Sequence, residues 1–230
     1  MTGTYEIRLL SSVEGVHRAA ALFDEIWPGP HATMPANILR ALEQSGNYVA
    51  GVFDGERMIG AAAAFCGPPA TRSMHSHIAG VLREYRGRGI GRLLKSHQRE
   101  WALARDIGHI TWTYDPLIAR NAHFNLHVLG ARVTEYLVDH YGQMNDGVNG
   151  GDESDRLTVS WALAAPAHPP RDEDVVTTVP VPTDIEKLRR TDPEEALEWR
   201  FRVRDAFGGL LQDGFVVGGF DDRGYLFVRH

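Results

Sequence analysis

The 230-residue sequence has a single cysteine, Cys66, so no disulfide can close within the chain and a reducing compartment is implied. It also lacks long apolar runs. The longest small and apolar stretch, Ala61 to Gly67, is far too short to cross a bilayer. There is no surplus of basic charge: the formal net charge is −6, no basic stripe stands out, and nucleic acid is not an expected partner. The opening MTGTYEIRLL has no basic segment followed by an apolar core, so no signal peptide is expected. Nor does any repeat of fixed period occur. What remains, with 43% hydrophobic and 23% charged residues, is an ordinary globular balance. The length suits one good-sized domain with a small appendage. A cytoplasmic protein that neither binds a membrane nor carries a metal is the expectation, with a homodimer as a candidate assembly.

Against those absences one stretch stands out, His75 to Leu94. Ile78 to Leu82 is a short apolar run of the kind a buried strand uses. Arg86-Gly87-Arg88-Gly89-Ile90-Gly91 follows, and then a helix with Ile90, Leu93, Leu94, His97 and Trp101 on one face. A strand feeding a helix through glycines makes an anion cradle. Glycines let backbone approach a pyrophosphate, and the free N–H groups and positive dipole end of the helix point at it. The spacing separates the known cradles. A P-loop needs Lys-Ser or Lys-Thr after the last glycine, where this chain has Arg92-Leu93. A dinucleotide fingerprint needs a glycine at 92 or 94, positions held by Arg92 and Leu94.

Along the chain, Tyr5–Leu10 reads as a strand. Ser11 or Ser12 caps a helix carrying Val16, Ala19, Ala20, Phe23 and Trp27. Pro35–Gln44 reads as a second helix. Tyr48–Phe53 and Met58–Phe65 flank Asp54-Gly55-Glu56-Arg57 as a hairpin. After the central strand and helix come a strand at His109–Tyr114, a helix at Asn121–Leu129 stopped by Gly130, and strands at Val133–Tyr141 and Leu157–Leu163. Residues 166–182, rich in proline and acid, read as a linker. In the tail, Thr183 begins a short helix, Asp192-Pro193 starts another with Ala196, Leu197, Arg200, Val203 and Phe207 on one face, and a hairpin turns at Asp221–Gly224. The 48 tail residues bury little alone, so docking on the main domain or on a second subunit is expected.

The order strand, two helices, three strands, helix, strand, helix, two strands, with Arg86-x-x-Gly89-x-Gly91 after the fourth strand, resembles the GCN5-related N-acetyltransferases, the GNAT superfamily. The resemblance covers residues 4 to 165. The block Tyr114-Asp115-Pro116-Leu117, Asn121-Ala122, Leu129-Gly130-Ala131, Tyr141-Gly142, Asp155-Arg156 and Trp161 is similar to a subgroup of predicted bacterial and archaeal acetyltransferases. The resemblance implies a mixed α/β fold, with an acyltransferase domain at 1–165 and a helix-plus-hairpin extension at 183–230. It implies acetyl-CoA or another acyl-CoA as co-substrate, and transfer to the amine of a small molecule, amino acids being among the candidates.

The resemblance also assigns roles. Main-chain groups of Arg86, Gly87, Arg88, Gly89, Ile90 and Gly91 would hold the pyrophosphate, Ala79, Gly80 and Val81 the pantetheine, and Asn121 would contact CoA or cap its helix. Gly80 would permit close approach or mark a bulge. The chain departs from the family where a glutamate base is common, for none lies between Gly67 and Arg83. His75 and His77, two apart on the strand, titrate near neutrality and are the candidate bases. The family's usual tyrosine acid falls at Leu126, so His123, His127 or Tyr141 would serve, or the thiolate would leave unaided. Asn125 could hydrogen-bond CoA or substrate. Tyr141, Asn145 and Arg156 are candidates for gripping the acceptor. His75, His77, His123 and His127 have workable metal-ligand spacings, though no metal is expected. A non-catalytic acyl-CoA sensor of the same fold is the alternative, and the missing glutamate and tyrosine speak for it.

Overall fold

The hairpin turn at residues 54–57 organises the first part of the computed structural model, which describes residues 5–142 and 153–229. Gly55 takes φ +58° there and lets β2 (Tyr48–Asp54) reverse into β3 (Arg57–Cys66). β1 (Glu6–Leu9) pairs antiparallel with β2, and β4 (Ser73–Val81) pairs antiparallel with β3. The chain forms two compact units, 1–110 and 111–230.

In the first unit the period of two sorts side chains to two faces. Val49, Ala61 and Ala63 join a core with Val16, Ala19, Phe23 and Leu39 from α1 (Val13–Ile26) and α2 (Ala36–Gln44). Tyr48 points the other way and its hydroxyl hydrogen-bonds His97 at 2.9 Å, on α3 (Ile90–Leu103). The alanine run Ala61–Ala64 is fully buried, which lets helices lie close to β3. Ser12 caps α1, its hydroxyl accepting from Gly15 N–H at 3.0 Å, a contact worth about 1 kcal/mol. Two expectations shift. The central strand begins at Ser73, two residues ahead of His75, and ends at Val81 rather than Leu82. Leu93 is 40% exposed, whereas the buried arc of α3 takes in Ile90, Leu94, Lys95, Gln98, Trp101 and Ala102.

In the second unit β5 (His109–Tyr114), which begins at the end of the first, is followed by α4 (Ala119–Ala122) and a wider π-type turn over His123–Val128. β6 (Arg132–Leu137) and β7 (Arg156–Ala162) are antiparallel, and the strand order here is β5-β7-β6. Trp112 and Trp161 are buried and meet edge to face at 6.4 Å, as core residues do. Asn121 lies inside α4, whose N-cap is Ile118, so it is not a helix cap. The strand expected to reach Tyr141 ends at Leu137.

The stretch 166–182 is not simply a linker. Its β-branched run Val175–Val179 forms β8, which pairs with β10 (Gly224–Arg229), and β10 pairs with β9 (Phe215–Asp221). Flanking prolines and acids mask that strand in the sequence. Asp184, not Thr183, caps α5 (Ile185–Thr191), accepting from Lys187 N–H at 2.9 Å. Asp192 caps α6 (Pro193–Gln212), with proline at its first position. Val203 and Phe207 of α6 are fully buried, with Tyr225 and Phe227 of β10 packed edge to face on Phe207. Leu197, by contrast, is 42% exposed.

The tail joins the rest of the second unit through charge as well as packing. Asp115, just past β5, receives Arg189 Nη2 at 2.6 Å and Arg200 Nη1 at 3.3 Å, all three side chains being almost wholly buried. Burial alone would raise the Asp115 pKa, but Arg200 and Arg189 outweigh it and hold the carboxyl at about 2. Arg204 bridges Glu153 and Asp155, and the Tyr225 hydroxyl donates to the Pro116 carbonyl at 2.7 Å.

Candidate active site

β4 runs out at Val81, and one tight turn, Arg83–Tyr85, carries the chain to the glycines. Gly87 and Gly89 have φ +78° and +79°, a region that costs an L side chain about 1–2 kcal/mol. Space is not the constraint, since a Cβ at either position would meet nothing within 4 Å. The dihedral demands glycine. Gly89 is the N-cap of α3 and offers no side-chain cap, so the first amides of this 14-residue helix face outward without an intrahelical partner. Ile90, 2% exposed, anchors the helix start in the core. Arg86, Arg88 and Arg92 are exposed around the turn. The Arg88 guanidinium lies over the Tyr85 ring at 4.9 Å and hydrogen-bonds Tyr5. Its contribution to an anion would therefore come from the main chain. A turn of exposed amides at a positive helix end, ringed by arginines, is fitted to a phosphate group.

Upstream, β4 carries a defect that the sequence does not disclose. Its register with β3 pairs Ala64 with Ser76 but Ala63 with Ile78, leaving His77 without a partner on β3. His77 is thus the extra residue of a β-bulge, and it switches the strand's faces. Before it, Ser76 points to α3. After it, Ile78 packs on the α1–α2 core and Gly80 sits beneath Ile26 and Trp27. The bulge is therefore at His77 and not at Gly80. Gly80 has a different task, because a Cβ there would come within 2.7 Å of the Trp27 ring. Its close approach is made by that indole. Ala79, Gly80 and Val81 all lie in register with β3.

His75 and His77 stay together across the bulge, ring centroids 6.2 Å apart, and both rest against Phe65 of β3 at 5.1 and 5.9 Å. Desolvation by this neighbourhood lowers the His77 pKa below its ordinary value, although part of the ring stays exposed. At neutral pH His77 is thus an uncharged imidazole able to accept a proton.

Behind the bulge lies a group the sequence reading passed over. Lys95 is 7% exposed and donates to Ser76 Oγ at 2.9 Å and to Gln98 Oε1 at 3.1 Å. Burial lowers its pKa to about 7. Its only sequence signal is a place beside the apolar arc of α3, which a solvated lysine shares.

The other candidates belong to the second unit. Tyr141 follows β6 in a turn, 50% exposed, its hydroxyl 3.1 Å from Thr113 Oγ1 and its ring under the Arg156 guanidinium at 5.4 Å. Arg156 is buried, and burial lowers its pKa. Leu126, where the family's tyrosine would fall, is a core residue at 4% exposure, and Asn125 beside it is also buried. His123 and His127 stack at 4.8 Å. Among the described residues no three His, Cys, Asp or Glu side chains gather as a metal ligand set. Asn145 lies outside the described residues. No helix among the described residues is long and apolar enough to cross a membrane.

A bulged strand running through glycines into a helix start has known counterparts, and comparison with known proteins shows what this chain is similar to. Residues 16–124 match the model of the acetyltransferase (GNAT) family, a span that includes the bulge, the glycine turn and α3. The fold resembles solved GNAT structures. The ribosomal-protein-S18-alanine N-acetyltransferase of Escherichia coli aligns with TM-score 0.56 at 11% identity, over 70% of this chain and 94% of its own. The ribosomal-protein-S5-alanine acetyltransferase of Vibrio fischeri gives 0.56 at 18%, over 70% and 94%. The yncA protein of Salmonella typhimurium, solved with its cofactor acetyl-CoA, gives 0.55 at 19%, over 70% and 97%. At such identities the likeness speaks for fold. A search of curated proteins by sequence found no significant match. The chain thus has the fold of these structures, and its residues 16–124 carry the sequence pattern of the acetyltransferase (GNAT) family.

Proposed function

We propose that the protein is an acyl-CoA-dependent N-acyltransferase that acylates the amine of a small molecule. The observation that carries this reading is the turn Arg86–Gly91, with two glycines at positive φ, arginines around it and the uncapped start of α3 behind it. The domain proposed for this activity is residues 1–165, with 183–230 as its extension.

Acyl-CoA would supply a thioester carbonyl activated for attack. The chain's own residues divide the remaining work. Amides from Gly87 to Gly91, with Arg86 and Arg92, hold the pyrophosphate. Main-chain groups of Ala79 to Val81 align the pantetheine arm. His77, uncharged near neutrality, takes the proton that an alkylammonium must lose before its nitrogen can attack, and His75 shares the position. Tyr141 is the proposed donor for the departing sulfur. A thiol's low pKa makes the leaving group tolerant of a weak acid.

The test is free-thiol release from acetyl-, propionyl- and succinyl-CoA against a panel of amines and amino acids. Release with at least one pair is expected. A second reading, an acyl-CoA sensor without turnover, draws on Leu126 in the tyrosine position and on β4 having no glutamate. Tight binding with no release across the panel would establish it, and failure to bind any CoA would refute both.

A further inference from the structure

Phe65 is the last residue but one of β3 and lies directly opposite His75. With His75 and His77 its ring completes a triangle of centroid separations 5.1, 5.9 and 6.2 Å. Interplanar angles of 32°, 44° and 42° keep the rings tilted, neither flat-stacked nor edge-on. The ladder explains the meeting. Phe65 faces His75 across the strands, and the bulge at His77 brings the second imidazole to the same side.

Core packing does not account for Phe65. Two and four residues earlier on its face, Ala63 and Ala61 are fully buried beneath α1 and α2. Phe65 is 39% exposed. An exposed benzene ring beside two imidazoles, at the one irregular point of this strand pair near the candidate base, is a surface of defined chemistry. It presents ring faces and imidazole nitrogens. These three side chains include no guanidinium or ammonium to hold an α-carboxylate. Aromatic faces instead attract another aromatic ring in offset or tilted geometry, and they tolerate a nearby ammonium.

We propose that Phe65 is a specificity-determining residue whose ring, with those of His75 and His77, seats an aryl group of the acceptor, making an arylalkylamine the preferred substrate class. This rests on the N-acyltransferase reading of the same site. The aryl group docks on Phe65, and the amine one or two methylenes away lies within reach of the imidazole that takes its proton.

The test compares kcat/KM for thiol release from acetyl-CoA with 2-phenylethylamine and with n-butylamine, using the full chain. The wild type should favour phenylethylamine. Phe65→Ala should raise KM for phenylethylamine about tenfold, the upper range of one aromatic contact, with kcat changed less than about twofold and a much smaller loss of kcat/KM for butylamine. Phe65→Tyr should restore the preference and exclude a folding defect. Equal kcat/KM for the two amines in the wild type, or equal losses for both in Phe65→Ala, overturns the proposal and leaves the transferase reading standing. No release with any amine overturns both.

Discussion

Replacing Asp115 by Asn tests how the tail is held. The substitution keeps size and keeps an oxygen for the Leu117 N–H, 2.9 Å away. It removes a charge that Arg189 and Arg200 both pair with, in a pocket where the three side chains are 3%, 4% and 0% exposed. Depression of the carboxyl from 3.8 to about 2 corresponds to roughly 2.5 kcal/mol of preference for the ionised form. Breaking a buried pair by removing one partner costs about 3–5 kcal/mol. The two agree in scale, so a loss of about 3 kcal/mol is expected in urea unfolding followed by the fluorescence of Trp112, Trp161 and Trp199 of the second unit. The sign of the pH effect follows from the depressed pKa. The contribution is complete above the ordinary carboxylate value and is lost as pH falls from about 4 to 2. Asp115→Asn should lack that component of acid sensitivity. A loss under about 1 kcal/mol, or an unchanged acid limb, would refute the account.

His77→Ala should lower kcat for thiol release by about 10²–10⁴-fold. Because the His77 pKa lies below its ordinary value, wild-type kcat/KM should fall only on the acid side of that value, as the imidazole protonates, and an acid limb centred well above neutrality would exclude His77 as the base. Gly89→Ala places a Cβ at φ +79°, costing about 1–2 kcal/mol locally. It should weaken CoA binding at least about tenfold by calorimetry, and unchanged affinity would move the phosphate site elsewhere. Lys95, held at about 7 in the fold, binds fewer protons than in the unfolded chain between pH 7 and 10. Stability should therefore rise with pH across that window, on the order of 4 kcal/mol if the lysine acts alone. Lys95→Met should flatten the rise, and a wild-type profile already flat there would show that the lysine is not desolvated.

Much of the first unit was legible because its signals are local. Asp54-Gly55 predicts the β2–β3 reversal, Ser12 the cap of α1, and Arg86-x-x-Gly89-x-Gly91 the helix-start cradle, each from dihedral or hydrogen-bonding demands of a few adjacent residues. Errors cluster where a distant partner decides. Val175–Val179 is a strand because β10, some 50 residues later, pairs with it. Tyr141 leaves its strand early because β6 and β7 pair only as far as Leu137 and Arg156. Leu93 and Leu197 fit a helical stripe by spacing, yet the neighbouring surface ends before reaching them.

The order of elements as far as β7, the glycine turn and the histidine pair were determined by the sequence, for periodicity and special backbone angles are properties of short segments. Tertiary structure decided what those parts do together. Counting by twos puts His75 and His77 on one face, but only the register against β3 shows His77 as the unpaired residue of a bulge, with Phe65 against both rings. Only packing turns Lys95 from a surface charge into a buried amine at Ser76, and Gly80 into a seat for Trp27. Only the fold brings Asp115 to Arg200, 85 residues away, and makes the tail part of the second unit. Such pairings depend on contacts far apart in the chain, and no short window of sequence contains them.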